Sequence, residues 1–396
     1  MTQPRHTDDL PVEYGLLDSG ELQRRIADRK RQLGRDLCLL AHHYQNDSVV
    51  QFADFVGDSL KLSQQAAATD AKFIVFCGVH FMAESADILS GPGQRVVLPN
   101  LRAGCAMADM ADPDDVAAAL DEVRSAGGGR VVPITYVNST AAAKALTARA
   151  GGACCTSSNV ANVFRWALSP EGGAADKIFA IPDQHLGLNT AIALGYCADD
   201  GVLYDPAQGR GGLTNEALAR AKFILWKGHC HVHQVFTPAD VAAARAADPG
   251  VFVIVHPECP RAVVAAADAA GSTEQIIAAV AAGKPGSRWA IGTESNLVAR
   301  LARRHADRKV SLLSHSPALC WQMARIDLPH LLWSLDALAT GEPVNVVTVP
   351  DDLAREARVA LQRMIDIRPA EAASPEQARG TTKITKHTKS TKQKGK

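Results

Sequence analysis

Along most of the chain, short apolar runs rich in β-branched residues alternate with Ala-rich stretches, and the runs are apolar at consecutive rather than alternate positions. Strands read this way when both faces are covered, as in parallel sheets flanked by helices. Nine such runs fall into three groups of three. LCLLAHHY, KFIVFCGV and RVVLP make the first, VVPITYVN, KIFAIPD and KFILW the second, and FVIVHPE, RWAIGTE and KVSLL the third. The pattern predicts an α/β protein of βαβ units in series.

After each third run comes a short loop, a cysteine and a new helix start. The cysteines are Cys105, Cys230 and Cys320, and seven residues beyond each stands a good N-cap, Asp112, Thr237 and Asp327. Apolar residues just before the cap (Ala111, Phe236, Ile326) and four after it (Val116, Val241, Leu331) are placed to form a hydrophobic staple. Proline follows each cap in ADPDDV, FTPADV and DLPHLL, at the first or second helical position. The offset is common to all three, so the chain reads as a threefold internal repeat with unequal periods of roughly 90 to 125 residues. Cys38, Cys77, Cys154, Cys155, Cys197 and Cys259 do not share the offset. Three equivalent thiols point to a site where three αβα domains converge.

Composition narrows the function classes. The 396 residues carry 42 basic and 42 acidic side chains, so no net field favours nucleic acid or an anionic membrane. The N-terminus lacks a secretory apolar core, no segment reaches eighteen uninterrupted apolar residues, and a cytoplasmic location is expected. Nine cysteines, an odd number in a long chain, disfavour a disulfide framework and leave burial, metal binding or catalysis. Residues 1–20 are expected to be flexible, and the basic tail 369–396, ending KITKHTKSTKQKGK, to be disordered.

Parallel sheets bind ligands beyond the carboxyl ends of their strands, so polar residues there are informative. The first strand of each group ends in such residues: His42, His43 and Tyr44; Tyr136 and Asn138; His256 and Glu258. Arg261, three residues beyond Glu258, offers that carboxylate an ion-pair partner. A second helix start rich in hydroxyls follows each, with Ser59, with Ser157 and Ser158, and with Ser272 and Thr273. Around one cleft these helix N-termini would suit a small, multiply anionic ligand. Three thiolates without an evident fourth ligand fit a [4Fe–4S] cluster with one open iron; zinc held by three cysteines and His233 fits the spacing as well. A zinc-dependent lyase or aldolase for phosphorylated sugars, or a dicarboxylate-binding protein with a structural metal, are the competing functions.

The segments AHHYQ, GDSLKLS, GVHFMAE, AGCAMAD, TYVNST, CTSSN, PDQHLG, WKGHCHVHQVF, HPEC, GSTEQII and GTESNL, in order from about residue 37 to 325, together resemble the quinolinate synthase family. The resemblance implies three pseudo-symmetric αβα domains, three-layered with parallel sheets, around a central cavity. Their expected limits are 21–107 (completed by C-terminal helices in 328–368), 108–233 and 234–327. It implies a [4Fe–4S] cluster on Cys105, Cys230 and Cys320, with Cys259 not a ligand. The implied reaction condenses iminoaspartate with dihydroxyacetone phosphate to quinolinate in NAD biosynthesis, with a functional link to an L-aspartate oxidase or dehydrogenase that makes iminoaspartate. Glu258 would be the leading acid/base, with Tyr44 and His256 as proton partners. His42, Ser59, Tyr136, Asn138, Ser157, His233, Ser272 and Thr273 would hold carboxylates and phosphate, Ser157 and Ser158 being interchangeable at this stage. Two features depart from the family pattern: Ala106 stands where serine is frequent, and 195–213 reads as a loop insertion.

Overall fold

The computed structural model describes residues 10–368, and within them the chain builds three sheets. The first takes β1 (Leu37–His42), β2 (Phe55–Gly57), β3 (Phe73–Cys77) and β4 (Arg95–Val97). The second takes β5 (Val131–Tyr136), β6 (Ala153–Cys155), β7 (Lys177–Ile181), β8 (Gly201–Tyr204) and β9 (Phe223–Trp226). The third takes β10 (Phe252–Val255), β11 (Ala269–Ala270), β12 (Arg288–Gly292) and β13 (Lys309–Leu312). A last strand, β14 (Val346–Val347), runs antiparallel to β4 at the outer edge of the first sheet.

Each sheet repeats one strand order. β2-β1-β3-β4, β6-β5-β7-β9 and β11-β10-β12-β13 superpose in sequence of pairing, with β14 and β8 added beyond the last strands of the first and second. All pairings except that of β14 are parallel. β1, β3, β5, β7 and β9 are buried at every position, which is why their sequences are continuously apolar. The nine runs read from the sequence are all strands. β2, β6 and β11, which stand in the same place in each unit, are three residues or fewer and too short to show a period.

The repeated helix starts form as their residues dictate. Asp112 accepts the amides of Asp114 and Asp115, Thr237 makes a capping box with Asp240, and Asp327 accepts the amide of His330. The staple residues Ala111, Val116, Phe236, Val241, Ile326 and Leu331 are all buried.

A second recurring contact ties the units into a ring. The helix after each middle strand reaches the turn that follows the first strand of the next unit. From His80–Leu89, Glu84 accepts the amide of Ala141 at 3.2 Å. From Gln184–Ala193, Asn189 donates to Pro257 O and Cys259 O at 2.8 and 3.0 Å. From Ser295–Arg304, Arg300 donates to His43 O at 2.8 Å and Gln45 O at 2.5 Å. First holds second, second holds third, and third holds first.

Three expectations are corrected. The 195–213 stretch is not only a loop, because β8 within it pairs with β9 and stacks Tyr204 on Trp226 at 5.9 Å. Its four strand residues lie between turn-rich flanks that masked them. The C-terminal helices do not both complete the first unit: Leu328–Thr340 packs on the helix Ser19–Leu33, but Asp351–Asp366 lies mainly on Ala141–Arg149 and β6 of the second. That last helix buries Ala357, Ala360, Leu361 and Met364 against a helix face of small residues, and Asn159 donates to Met364 O at 2.9 Å. Finally, the described part of 1–20 includes the helix Val12–Gly15, whose Tyr14 hydroxyl donates to Asp336 at 3.1 Å. The 369–396 expectation lies outside the described residues. Among those described, no helix is long and apolar enough to cross a membrane.

Replacing a cap or a staple residue tests the repeat energetically. Thr237→Ala and Asp327→Ala should each lower unfolding free energy by about 1 kcal/mol, and Phe236→Ala by roughly 3–5 kcal/mol through the cavity it leaves. Denaturant melts read both. Unchanged stability in Thr237→Ala would show that the capping box contributes nothing.

Candidate active site

The carboxyl ends of β1, β5 and β10 open onto one cavity. His42, Tyr44, Ser59, Tyr136, Asn138, Ser157, His256, Glu258, Thr273, Cys105, Cys230 and Cys320 all line it. Of the residues expected at the site, His233 and Ser272 stand just behind the wall, both buried.

At the strand ends the backbone fixes the imidazoles. His42 Nδ1 accepts the amide of Tyr44 at 3.1 Å, and His256 Nδ1 accepts that of Glu258 at 3.3 Å. The same offset occurs in two units, and in both it leaves Nε2 to carry the proton. Burial pushes both histidines down to about 3, with neighbouring histidines adding to the effect, so both are neutral at physiological pH. The Tyr44 hydroxyl bonds Thr293 at 3.0 Å and Thr273 at 3.4 Å, and its ring meets His42 edge-on at 4.6 Å.

Glu258 is the buried charge of the site, only 2% exposed. Its partner is His233 rather than Arg261: Glu258 Oε2 lies 2.7 Å from His233 Nδ1, close enough for an ion pair though outside hydrogen-bond alignment. The Tyr136 hydroxyl lies near the same carboxylate and favours its ionised form. Burial opposes ionisation, but His233 at 2.7 Å outweighs it and, with the Tyr136 hydroxyl nearby, holds the carboxyl below the usual range. Conversely, burial and then the Glu258 charge push the Tyr136 phenol well up. His233 stacks on His256 with ring centroids 4.4 Å apart, and its Nε2 faces Thr293 at 3.3 Å.

The three hydroxyl-rich helix starts differ from their sequence reading. Asp58, not Ser59, caps Ser59–Ala68; Asn159 stands at the start of Val160–Leu168 without a side-chain cap bond; only Ser272 of the expected residues is itself a cap. Aspartate is a strong cap, so in the first unit the signal was present one residue before the serine. The three starts meet, because Ser158 donates to Asp58 and shares a hydrogen bond with the Ser272 hydroxyl at 2.9 Å. Ser158 therefore stitches the units together while Ser157 faces the cavity. Asp58, Phe81, Met82, Thr156, Gln322 and Met323 also line it and were not singled out in the sequence.

In the turn after each wall cysteine, nearby backbone amides favour its thiolate: those of Met107 and Ala108 at Cys105, of Val232 at Cys230, and of Gln322 and Met323 at Cys320. Burial outweighs that pull and raises Cys105 to about 12, Cys320 to about 11 and Cys230 well above the usual thiol value. A metal centre would reverse that balance. Cys230, His233 and Glu258 form a set whose ligand atoms all lie within 4.8 Å of one another. The remaining cysteines are core residues apart from exposed Cys197, and Cys259 turns its thiol to Gly292 O at 3.6 Å.

The sequence profile of the family described as Quinolinate synthetase A protein matches residues 24–366. The quinolinate synthase of Acidobacterium capsulatum is 51% identical over 359 residues, covering 90% of this chain and 95% of that protein. That of Bacillus velezensis is 48% identical over 357 residues, with 90% and 96% covered. That of a Nocardioides species is 49% identical over 370 residues, with 90% and 94% covered.

The Glu258 pairing has an acid signature. A carboxyl lower in the folded than in the unfolded state adds stability above its unfolded pKa and loses it as pH falls through its folded value. Wild type should therefore lose stability more steeply than Glu258→Gln between about pH 4.5 and about pH 2. Parallel acid-unfolding curves would show that Glu258 is not held ionised.

Proposed function

The chain belongs to the quinolinate synthetase A family, and from that premise we propose that it is a quinolinate synthase of NAD biosynthesis. It joins iminoaspartate to dihydroxyacetone phosphate and releases quinolinate, one phosphate and two waters, with no net oxidation. An L-aspartate oxidase or dehydrogenase in the same cytoplasm would supply the imine. The observation that carries this reading is the convergence of one cysteine from each unit on a cavity also lined by Tyr44, Tyr136, His42, His256 and Glu258.

Cys105, Cys230 and Cys320 would hold a [4Fe–4S] cluster, and their convergence on one cavity, one from each unit, fits them to a cluster of thiolates. When bound, the cluster supplies an open iron as a Lewis acid. The protein's own groups divide the remaining work. His42 and His256, neutral and protonated at Nε2, donate to substrate carboxylates without adding charge. Ser59, Ser157, Asn138 and Thr273 line the wall toward the three helix starts and hold phosphate or carboxylate there. Ser272 supports this role indirectly, as the cap that fixes Thr273.

Glu258 takes a proton during isomerisation and ring closure. Ionised and held by Tyr136 and His233, it is oriented before substrate arrives. The low basicity of that carboxylate rises as substrate displaces water and competes for its partners. Tyr44, neutral and supported by Thr273 and Thr293, returns protons to leaving oxygens, with His256 as the second donor.

One observation favours a second reading, a zinc lyase, since Cys230, His233 and Glu258 are close enough to grip a single ion. Anaerobic purification separates the two. A brown protein with iron and sulfide in equal amounts is expected, and a colourless zinc protein would overturn the cluster.

Cys105→Ser, Cys230→Ser and Cys320→Ser should each abolish the cluster, whereas single replacement of Cys38, Cys77, Cys154, Cys155, Cys197 or Cys259 should retain it. Full iron in Cys230→Ser would remove that residue from the ligand set. Glu258→Gln should reduce quinolinate formation by roughly 10²-fold or more with the cluster intact. Near-normal turnover in that variant would exclude Glu258 from the chemistry and leave Tyr44 and His256.

A further inference from the structure

The turn after the first strand of each unit leads into a helix whose first residue stands five beyond His42, Tyr136 or His256. Those first residues are Asp47, Ala141 and Arg261. The preceding unit meets each turn with the helix after its own middle strand, so the three junctions share one frame. Their charges differ.

Between the third unit and the first the charges cancel, because Asp47 pairs with Arg300 at 2.5 Å and also with Arg303. Between the first and the second, Ala141 brings no charge, and its amide is taken by Glu84. Between the second and the third, Arg261 stands where Asp47 stood. Asn189 and Ile192 stand where Arg300 and Arg303 stood, six and nine residues beyond the helix cap. Asn189 is already committed to Pro257 O and Cys259 O. Among the described residues Arg261 makes no hydrogen bond or ion pair.

Arg261 is half-buried in a groove between the second and third units, together with Ser157, Ser158, Ala193 and Pro257. Among the described residues no Asp or Glu lines that groove. It backs onto the central cavity, since Ser157 lines both. Pro257 faces the groove while its chain neighbours His256 and Glu258 face the cavity, so the wall there is one residue thick. Ser158, on the groove side, is bonded to Ser272 at 2.9 Å within that wall. A cation without a counter-charge between low-dielectric walls concentrates anions beside it, and a guanidinium fork matches both phosphate and carboxylate.

We propose that this groove is an anion-capture site on the substrates' way into the cavity, in which Arg261 draws in the phosphate or carboxylate of an incoming molecule and presents it at the Ser157 wall. This rests on the reading of the cavity as the site of two anionic substrates. Arg261 acts on encounter and not on the reacting atoms, so its charge governs the rate of capture and leaves turnover of bound substrate alone.

Initial rates of quinolinate formation by the cluster-loaded, full-length chain provide the test, with dihydroxyacetone phosphate varied at saturating imine and at low and high ionic strength. At low salt Arg261→Gln and Arg261→Glu should lower kcat/KM, the latter by roughly 10-fold, with kcat unchanged. The difference should close at about 1 M salt, where charges are screened beyond about 3 Å. Arg261→Lys keeps the charge and should recover most of the rate. Ala193→Glu, at an exposed position of the same groove, supplies the missing counter-charge and should lower kcat/KM in the same salt-dependent way; it carries the test if Arg261→Glu does not fold. Arg303→Gln removes the same net charge from the junction where charges cancel, and should keep the wild-type value. A wild-type kcat/KM in Arg261→Glu and Ala193→Glu overturns the proposal, as does a loss that persists at high salt. A loss in kcat alone overturns it too, since Arg261 would then act on departing phosphate. Wild-type enzyme that forms no quinolinate overturns instead the reading beneath it.

Discussion

The amide at the start of the helix after each middle strand has no partner within its own helix, and in this protein it is satisfied by a carbonyl two residues before a wall cysteine. That bond sets the rest of the site. It fixes the cysteine loop to the carboxyl edge of its sheet, while Glu84, Asn189 and Arg300 further along the same three helices hold the first-strand turn of the next unit. Each helix therefore aligns its own cysteine with the neighbouring unit's polar strand end. Three repetitions close the ring and bring the cysteines together with His42, Tyr136 and His256.

Closing the ring buries groups that water would otherwise solvate, and the wall answers several of them, though Asn138 Oδ1 is left without a partner. The two imidazoles are neutral and accept a backbone amide two residues on. Tyr44 finds two threonines. The carboxylate of Glu258 has His233 and Tyr136 beside it. Because an unpaired buried charge costs several kcal/mol, these partners are as much a condition of the fold as of the chemistry. Asp58, held by Lys61 N–H at 2.9 Å and by Ser158, serves the same end where the three helix starts meet.

Legibility in the sequence followed the range of the interaction. Caps, staples and prolines act within four residues, so Asp112, Thr237 and Asp327 could be read directly, and so could nine strands whose runs are long enough to stand out. β2, β6, β8, β11 and β14 are strands because a neighbour pairs with them, and their own residues carry too little signal. Asp58 was a missed local signal: an aspartate directly before Ser59 is the better cap.

By itself the sequence determined the threefold repeat, the equivalence of Cys105, Cys230 and Cys320, and the polar residues at the strand ends, since each depends on spacing along one segment. Only the tertiary structure decided which partner each group takes. Glu258 pairs with His233 and not with nearby Arg261; Ser157 faces the cavity and Ser158 the junction; the helix Asp351–Asp366 lies on the second sheet. Contacts of this kind are settled by how helices and sheets pack against one another, and that depends on the summed burial of the whole chain rather than on any stretch of it.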